Sequence, residues 1–133
     1  DSIELYTNAY SRLSGLKLSG DDKQLYNKLS VLASVSGKYD AYKSFSDSGY
    51  VTMAADSLVC AAGRCAVNAD NAKEYGCELQ LEQLKNIISD TLSSQYGLSY
   101  DDAIALYNID DRDDYTLALT QKLNELGIKE ETK

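Results

Sequence analysis

Apolar residues recur at helical spacing along nearly the whole chain, and no run alternates apolar with polar residues between Gly/Asn turns as paired strands do. The clearest case is ELQLEQLKNIISDTLSSQYG, residues 78–97. Leu81, Leu84, Ile88 and Leu92 form one stripe there, Ile87 and Tyr96 flank it, and Gly97 stands where a helix stops. Proline is absent, so no ring forces a break in any of these patterns. The spacing therefore predicts an all-α fold, a compact bundle of five or six helices.

The same periodicity places the other helices. A first is expected over residues 2–16, with Ile3, Tyr6, Tyr10 and Leu13 on one side and a stop near Gly15 or Gly20. Asp21 and Asp22 supply acceptors and negative charge at a new helix start. The second helix sets Leu25, Leu29, Leu32, Ser36 and Tyr39 at near-heptad spacing, extended by Tyr42 and Phe45, and tolerates Gly37 at a cost of about 1 kcal/mol against alanine. After the turn SDSG, a third helix is expected from Tyr50 toward Tyr75, packed antiparallel to the second. Its seam of Tyr50, Ala54, Leu58, Ala61, Cys65 and Ala72 is small enough for a neighbouring helix to approach closely. A break at NADN competes with that reading, because Asn71 followed by Glu74 resembles a capping box, and Gly76 ends the segment in either case. Ser99 with Asp102 caps a short helix, and a last one begins near Asp110 or Asp111 and carries Tyr115, Ala118, Leu119, Leu123 and Leu126 to Gly127. These two form a C-terminal pair capping one end. One domain is expected over residues 1–127, with residues 128–133 a frayed tail.

A chain of 133 residues buries enough surface for a core without covalent staples. Its 44% hydrophobic and 26% charged residues are those of an ordinary folded domain. Lys and Arg number 13 against 21 Asp and Glu, and the resulting charge of −8 repels phosphate backbones, so nucleic acid is not an expected partner. Histidine is missing altogether, which removes the commonest general base, the Ser-His and Cys-His nucleophile pairs and imidazole metal ligands. No apolar run reaches the roughly 20 residues that span a bilayer, and DSIELYTNAY lacks the pattern of a signal peptide. A soluble domain without membrane insertion is expected. Its location stays open between the cytoplasm and an extracytoplasmic domain whose signal or anchor has been removed, and so does its oligomeric state.

Cys60, Cys65 and Cys77 are an odd number, which argues against a full disulfide framework. On one helix, Cys60 and Cys65 stand about 7.5 Å apart in rise and on different sides, and a continuous helix puts Cys77 roughly 18 Å or more from either. Inert thiols are expected, with the pairing of Cys77 reopened by a break near residues 67–71.

Motifs with chemical meaning are few. NIDDRDDY invites a calcium reading, but an EF-hand loop counted from Asp110 meets Arg112 at its third position, Tyr115 at its sixth and Gln121 at its twelfth. Carboxylates that cap helices explain this cluster and Asp101–Asp102 better. Ser14 and Lys17 match the S-x-x-K string of serine acyl-enzymes without its companion strings. Tyr39 and Lys43 stand four apart as in some dehydrogenases, but no G-x-G-x-x-G accompanies them. Catalytic, cofactor and metal residues are therefore expected to be none. A small carboxylate-dependent hydrolase needs no histidine and is the catalytic alternative. The eleven tyrosines against one phenylalanine are the unusual feature, since each joins an apolar ring to a hydroxyl that seeks a partner. Tyr39, Tyr42 and Tyr50 are candidate partner contacts, and a tyrosine-lined ligand-binding sensor is the second alternative.

Gly49-x-Val51-x-x-Ala54-x-x-x-Leu58-x-x-Ala61, with Phe45 before it, resembles the turn and second helix of a tetratricopeptide (TPR) repeat over about residues 38–66. Gly49 permits a tight turn, and Ala54 and Ala61 leave room for the neighbouring helix. Lys38 stands at the family's usual tryptophan position, Tyr42 at its usual small residue and Ala66 at its closing proline, and no second copy follows at a period near 34. The resemblance implies a long central TPR-like hairpin. It implies a non-catalytic scaffold that binds a protein or peptide, expected here as the soluble domain of a larger or surface-anchored protein, with no cofactor.

Overall fold

A computed structural model of the chain describes residues 21–128. Among these residues the fold is all-helical. Six helices follow one another: α1 (Asp21–Asp47), α2 (Val51–Val67), α3 (Ala69–Tyr75), α4 (Glu78–Tyr96), α5 (Tyr100–Tyr107) and α6 (Arg112–Glu125). The helix expected over residues 2–16 and the Ser14/Lys17 pair lie outside the described residues, as do residues 129–133.

The longest seam joins α1 to α2 as an antiparallel hairpin. Its turn closes by a short hydrogen-bond ladder in which the Tyr50 N–H donates to the Phe45 carbonyl (2.9 Å) and the Gly49 N–H to the Ser46 carbonyl (3.1 Å). That closure requires a left-handed residue, and Gly49 supplies it at φ 82°. The apolar contact that accompanies such a closure is present too, since the Phe45 and Tyr50 rings meet edge to face at 6.5 Å. Farther along the hairpin Arg64 donates to the Ser34 hydroxyl at 2.9 Å, tying α2 back to α1.

The core is built on α2. Ala54, Leu58 and Ala61 are buried, Leu29, Leu32 and Val35 of α1 are buried, and Leu81, Leu84, Ile88 and Leu92 bring in α4. Ala72 and Cys77 are buried as well, and Leu98, just past the end of α4, is buried where its N–H donates to the Leu92 carbonyl at 3.1 Å. The expected stripes of α1, α2, α4 and α6 thus pack largely as their spacing requires. Three of their members do not. Leu25 is 47% exposed in the first turns of α1, Tyr50 is 52% exposed because it precedes the first residue of α2, and Leu126 is exposed beyond the end of α6.

The third predicted helix breaks, and it breaks at Asn68. The Asn68 side-chain amide donates to the Arg64 carbonyl at 2.9 Å while the Asn68 backbone N–H donates to the same oxygen at 3.0 Å. Asn68, and not Asn71, is therefore the hinge and the first residue of the next helix start. The expected Asn71–Glu74 box is not what ends α2. Two other caps form where the sequence places them. Ser99 accepts from the Asp102 N–H at 3.0 Å while Asp102 accepts from the Ser99 N–H at 3.2 Å, and Asp111 accepts from the Asp114 N–H at 2.9 Å. The bond from Ser99 and its backbone holds the Asp102 carboxyl below its ordinary range.

Candidate functional site

The residues singled out in the hairpin are placed as structure. Ala54, Leu58 and Ala61 are core, Phe45 and Val51 pack against that core, and Gly49 makes the turn. The three candidate contact tyrosines divide. Tyr42 lies in the core, where no partner reaches it, its ring 5.5 Å from Tyr39 and 6.3 Å edge-on to Tyr96. Burial pushes its phenol up from the ordinary value, and does the same to Tyr96, raised to about 12. Tyr39 is half-buried and its hydroxyl pairs with that of Thr91 on α4 at 3.1 Å. Tyr50 alone of the three is exposed.

Of the hollows formed elsewhere, two lie against α2. The smaller, about 160 Å³, lies beside α6 and is bounded by Asp56 and Cys60 of α2, Tyr107 of α5, and Arg112 and Tyr115 of α6. Its polar groups bind one another. The Tyr115 hydroxyl donates to the Asp56 carboxylate, the Cys60 thiol donates to the same oxygen at 3.9 Å, and the Arg112 guanidinium lies 5.8 Å from the Tyr115 ring centre. Burial and that bond to Asp56 push the Tyr115 phenol well up, and burial with the neighbouring Asp56 charge raises the Cys60 thiol. The cluster behaves as a clasp between α2 and α6.

The larger hollow is an open cleft of about 410 Å³ where the end of α2, the start of α3, α4 and α5 converge. Cys65 and Leu81 are its buried apolar wall, while Ala66 and Ala69 are exposed and short, so the space in front of them is empty of side chain. Along α4, Glu78, Glu82 and Lys85 share one face by helical period and line the same cleft. Tyr100 closes the far side. Its hydroxyl donates to the Ala62 carbonyl at 3.1 Å and its ring carries the Lys85 ammonium 4.8 Å from its centre. Burial raises the Tyr100 phenol to about 12 and the Cys65 thiol to about 12, so both are protonated at neutral pH.

None of these cleft residues was a candidate in the sequence, although Leu81 and Cys65 were read as core. The usable signal was ELQLEQLK, in which Glu78, Glu82 and Lys85 recur at four and three residues beside Leu81. Tyr100 carried no such signal. Ala62, its partner, is 38 residues away.

No helix among the described residues is long and apolar enough to cross a membrane, and these residues bring together no group of three or more His, Cys, Asp or Glu that could hold a metal ion. Comparison with protein-family models, with curated proteins and with solved structures finds no match to this chain.

Proposed function

We propose that this domain is a non-catalytic interaction module that receives a peptide or helix of a partner protein in the cleft between α2, α4 and α5. The observation that carries this reading is the cleft, about 410 Å³ of open space with an apolar back wall and charged groups along one side. That volume falls in the range of sites that take ligands, and the mixture of apolar wall and few charges is what orients one. The chemistry of the chain supports the same reading. It has no histidine, and burial raises all three thiols above their ordinary value, which weakens them as nucleophiles. The α1–α2 hairpin, with Gly49 at its turn and alanines along its seam, is TPR-like in this reading and acts as the frame that holds the cleft.

The test fills the cleft without touching the core. Ala66→Phe and Ala69→Phe change exposed positions, so thermal unfolding should move little. Peptides selected on the native protein from a random displayed library should lose binding to both variants. Selection of no peptide, or equal binding to the filled variants, would overturn the reading. A tyrosine-lined ligand site is the second reading, favoured by Tyr107 and Tyr115 around the 160 Å³ hollow, and it is weakened by the internal bonds that already engage Asp56, Cys60 and Tyr115.

A further inference from the structure

We infer that the segment this cleft receives is basic at one end and apolar at its centre, the Lys- or Arg-bearing face of an amphipathic helix from a partner protein. The inference rests on the cleft being a peptide site and adds the chemistry of its occupant. Glu78 and Glu82 lie about 6 Å apart along α4, one turn from each other on the cleft side. Both carboxylates are exposed at the rim, where a cation can reach them without either partner being driven into a dry interior. A guanidinium or ammonium between them gains from both.

Lys85 is the opposing charge in this wall, and its position sets the direction of the occupant. It sits about 10 Å along the helix from Glu78 and is held over the Tyr100 ring, at the α5 side of the cleft. Glu78 thus marks one end of this wall and Lys85, three residues beyond Glu82, the other, with the buried Leu81 between them. A cation enters at the Glu78 end and an apolar side chain fills the middle. The net charge of −8 draws basic partners to the molecule as a whole, which raises the rate of encounter.

Exposed apolar side chains also stand next in sequence to cleft residues. Val67 and Leu79, the chain neighbours of Ala66 and Glu78, are 63% and 70% exposed, among the most exposed large apolar side chains of the described residues. A small amine would leave both in water. A helix seated in the cleft presents further apolar residues at three- and four-residue spacing beyond the one that fills the middle.

Three labelled synthetic peptides test this by fluorescence anisotropy: an amphipathic Lys/Leu helix, its charge-reversed Glu/Leu counterpart, and a Lys/Ser analogue with the same charge and no apolar face. The proteins are the native chain, Glu78→Lys with Glu82→Lys, and a control of equal charge change, Asp90→Lys with Glu125→Lys, each checked for helicity by circular dichroism. The Lys/Leu peptide should bind the native chain, bind the Glu78/Glu82 variant at least about tenfold more weakly, and change by less than about threefold on the control, whose charges lie outside the cleft. Equal loss on both variants, or binding of the Lys/Ser peptide as tight as that of Lys/Leu, would mean attraction to an acidic surface and would sink the inference. Tighter binding of the Glu/Leu peptide, lost on Ala66→Phe, would overturn the basic occupant while leaving the peptide site standing. If none of the three peptides binds, the inference fails, and the library selection with the filled variants decides the peptide site separately.

Discussion

α2 is covered on two adjoining faces, and the two are packed by opposite means. At about 100° per residue, Ala54, Ser57, Leu58, Ala61 and Cys65 share one face, and Ala55, Val59, Ala62 and Gly63 share the next. On the first, the recurring small residues alternate with the fully buried Leu58 in a stripe that extends the length of the helix. On the second, Ala62 and Gly63 leave space beside the buried Val59 and the partner supplies bulk. Any side chain added at Gly63 would occupy the place of the Tyr107 ring, and Tyr100 reaches across to bond the Ala62 carbonyl. The first face is a periodic seam that a sequence can display, whereas the second is a pair of sockets whose meaning depends on rings that arrive from α5.

The largest expected effect tests the first face. Leu58→Ala should cost about 2–5 kcal/mol in chemical denaturation, because the side chain is fully buried and its neighbours on a rigid seam cannot close the gap. A loss near zero would show that the stripe is not the seam it is read to be.

Gly63→Ala tests the second face, and its sign depends on Tyr107. Alone, the new methyl group collides with the base of the Tyr107 ring, which cannot swing aside like the far end of a long chain. Overpacking of this kind costs about 1–3 kcal/mol, against which helix propensity returns about 1 kcal/mol. A net loss of at most about 2 kcal/mol is expected. In a Tyr107→Ala background the collision disappears and only the propensity gain is left, so Gly63→Ala should then stabilise. If the two changes are additive, the ring does not sit where the socket requires it.

The contrast also explains how far the sequence could be read. The α4 stripe, the Ser99–Asp102 box, the Asp111 cap and the Gly49 turn depend on residues within a few positions of each other, and all were visible. Asn68 was missed as the hinge because a single asparagine bonding back to Arg64 has no spacing signal, while Asn71 and Glu74 imitate one. The second face and the cleft were missed for a different reason. Helical period tells which residues share a side, but not which element covers it, and Tyr100 meets Ala62 only after the chain has run through α3 and α4. The cleft is likewise a product of placement, since Ala66 and Ala69 become a hollow only when Glu78, Leu81 and Tyr100 are set around them.

Alkaline pH loads both faces, since Tyr100 bonds the second and Cys65 lies on the first, and burial holds both protonated. Tyr96 and Tyr100 titrate at about 12 in the folded chain against about 10 unfolded, Tyr115 is raised further by burial and Asp56, and Cys65 is raised from about 9 to about 12. A raised folded pKa means that the contribution is intact below the unfolded value and is lost as pH rises toward the folded one. Stability should therefore begin to fall above about pH 9 and more steeply above about pH 10, by up to about 1.4 kcal/mol per pH unit for each fully shifted group. Phenolate absorbance followed beside circular dichroism checks this: part of the tyrosine signal should rise early and the rest only with loss of helix. Tyr100→Phe should flatten the fall above pH 10, and an unchanged profile would show that burial does not hold this phenol protonated.

The smallest expected effect is the control for both faces. Gly37 lies within α1, and a methyl group built there meets nothing within 4 Å. Gly37 and Gly63 are thus the same residue in the same kind of helix, one facing open space and the other a tyrosine ring. Gly37→Ala loses no contact and restricts the unfolded chain, so it should stabilise by about 0.5–1 kcal/mol. A gain at Gly37 together with a loss at Gly63 would assign the difference to Tyr107, because backbone propensity acts equally at both. A loss at Gly37 would instead mean that a side chain there meets a neighbour, and the cost measured at Gly63 could no longer be ascribed to the socket alone.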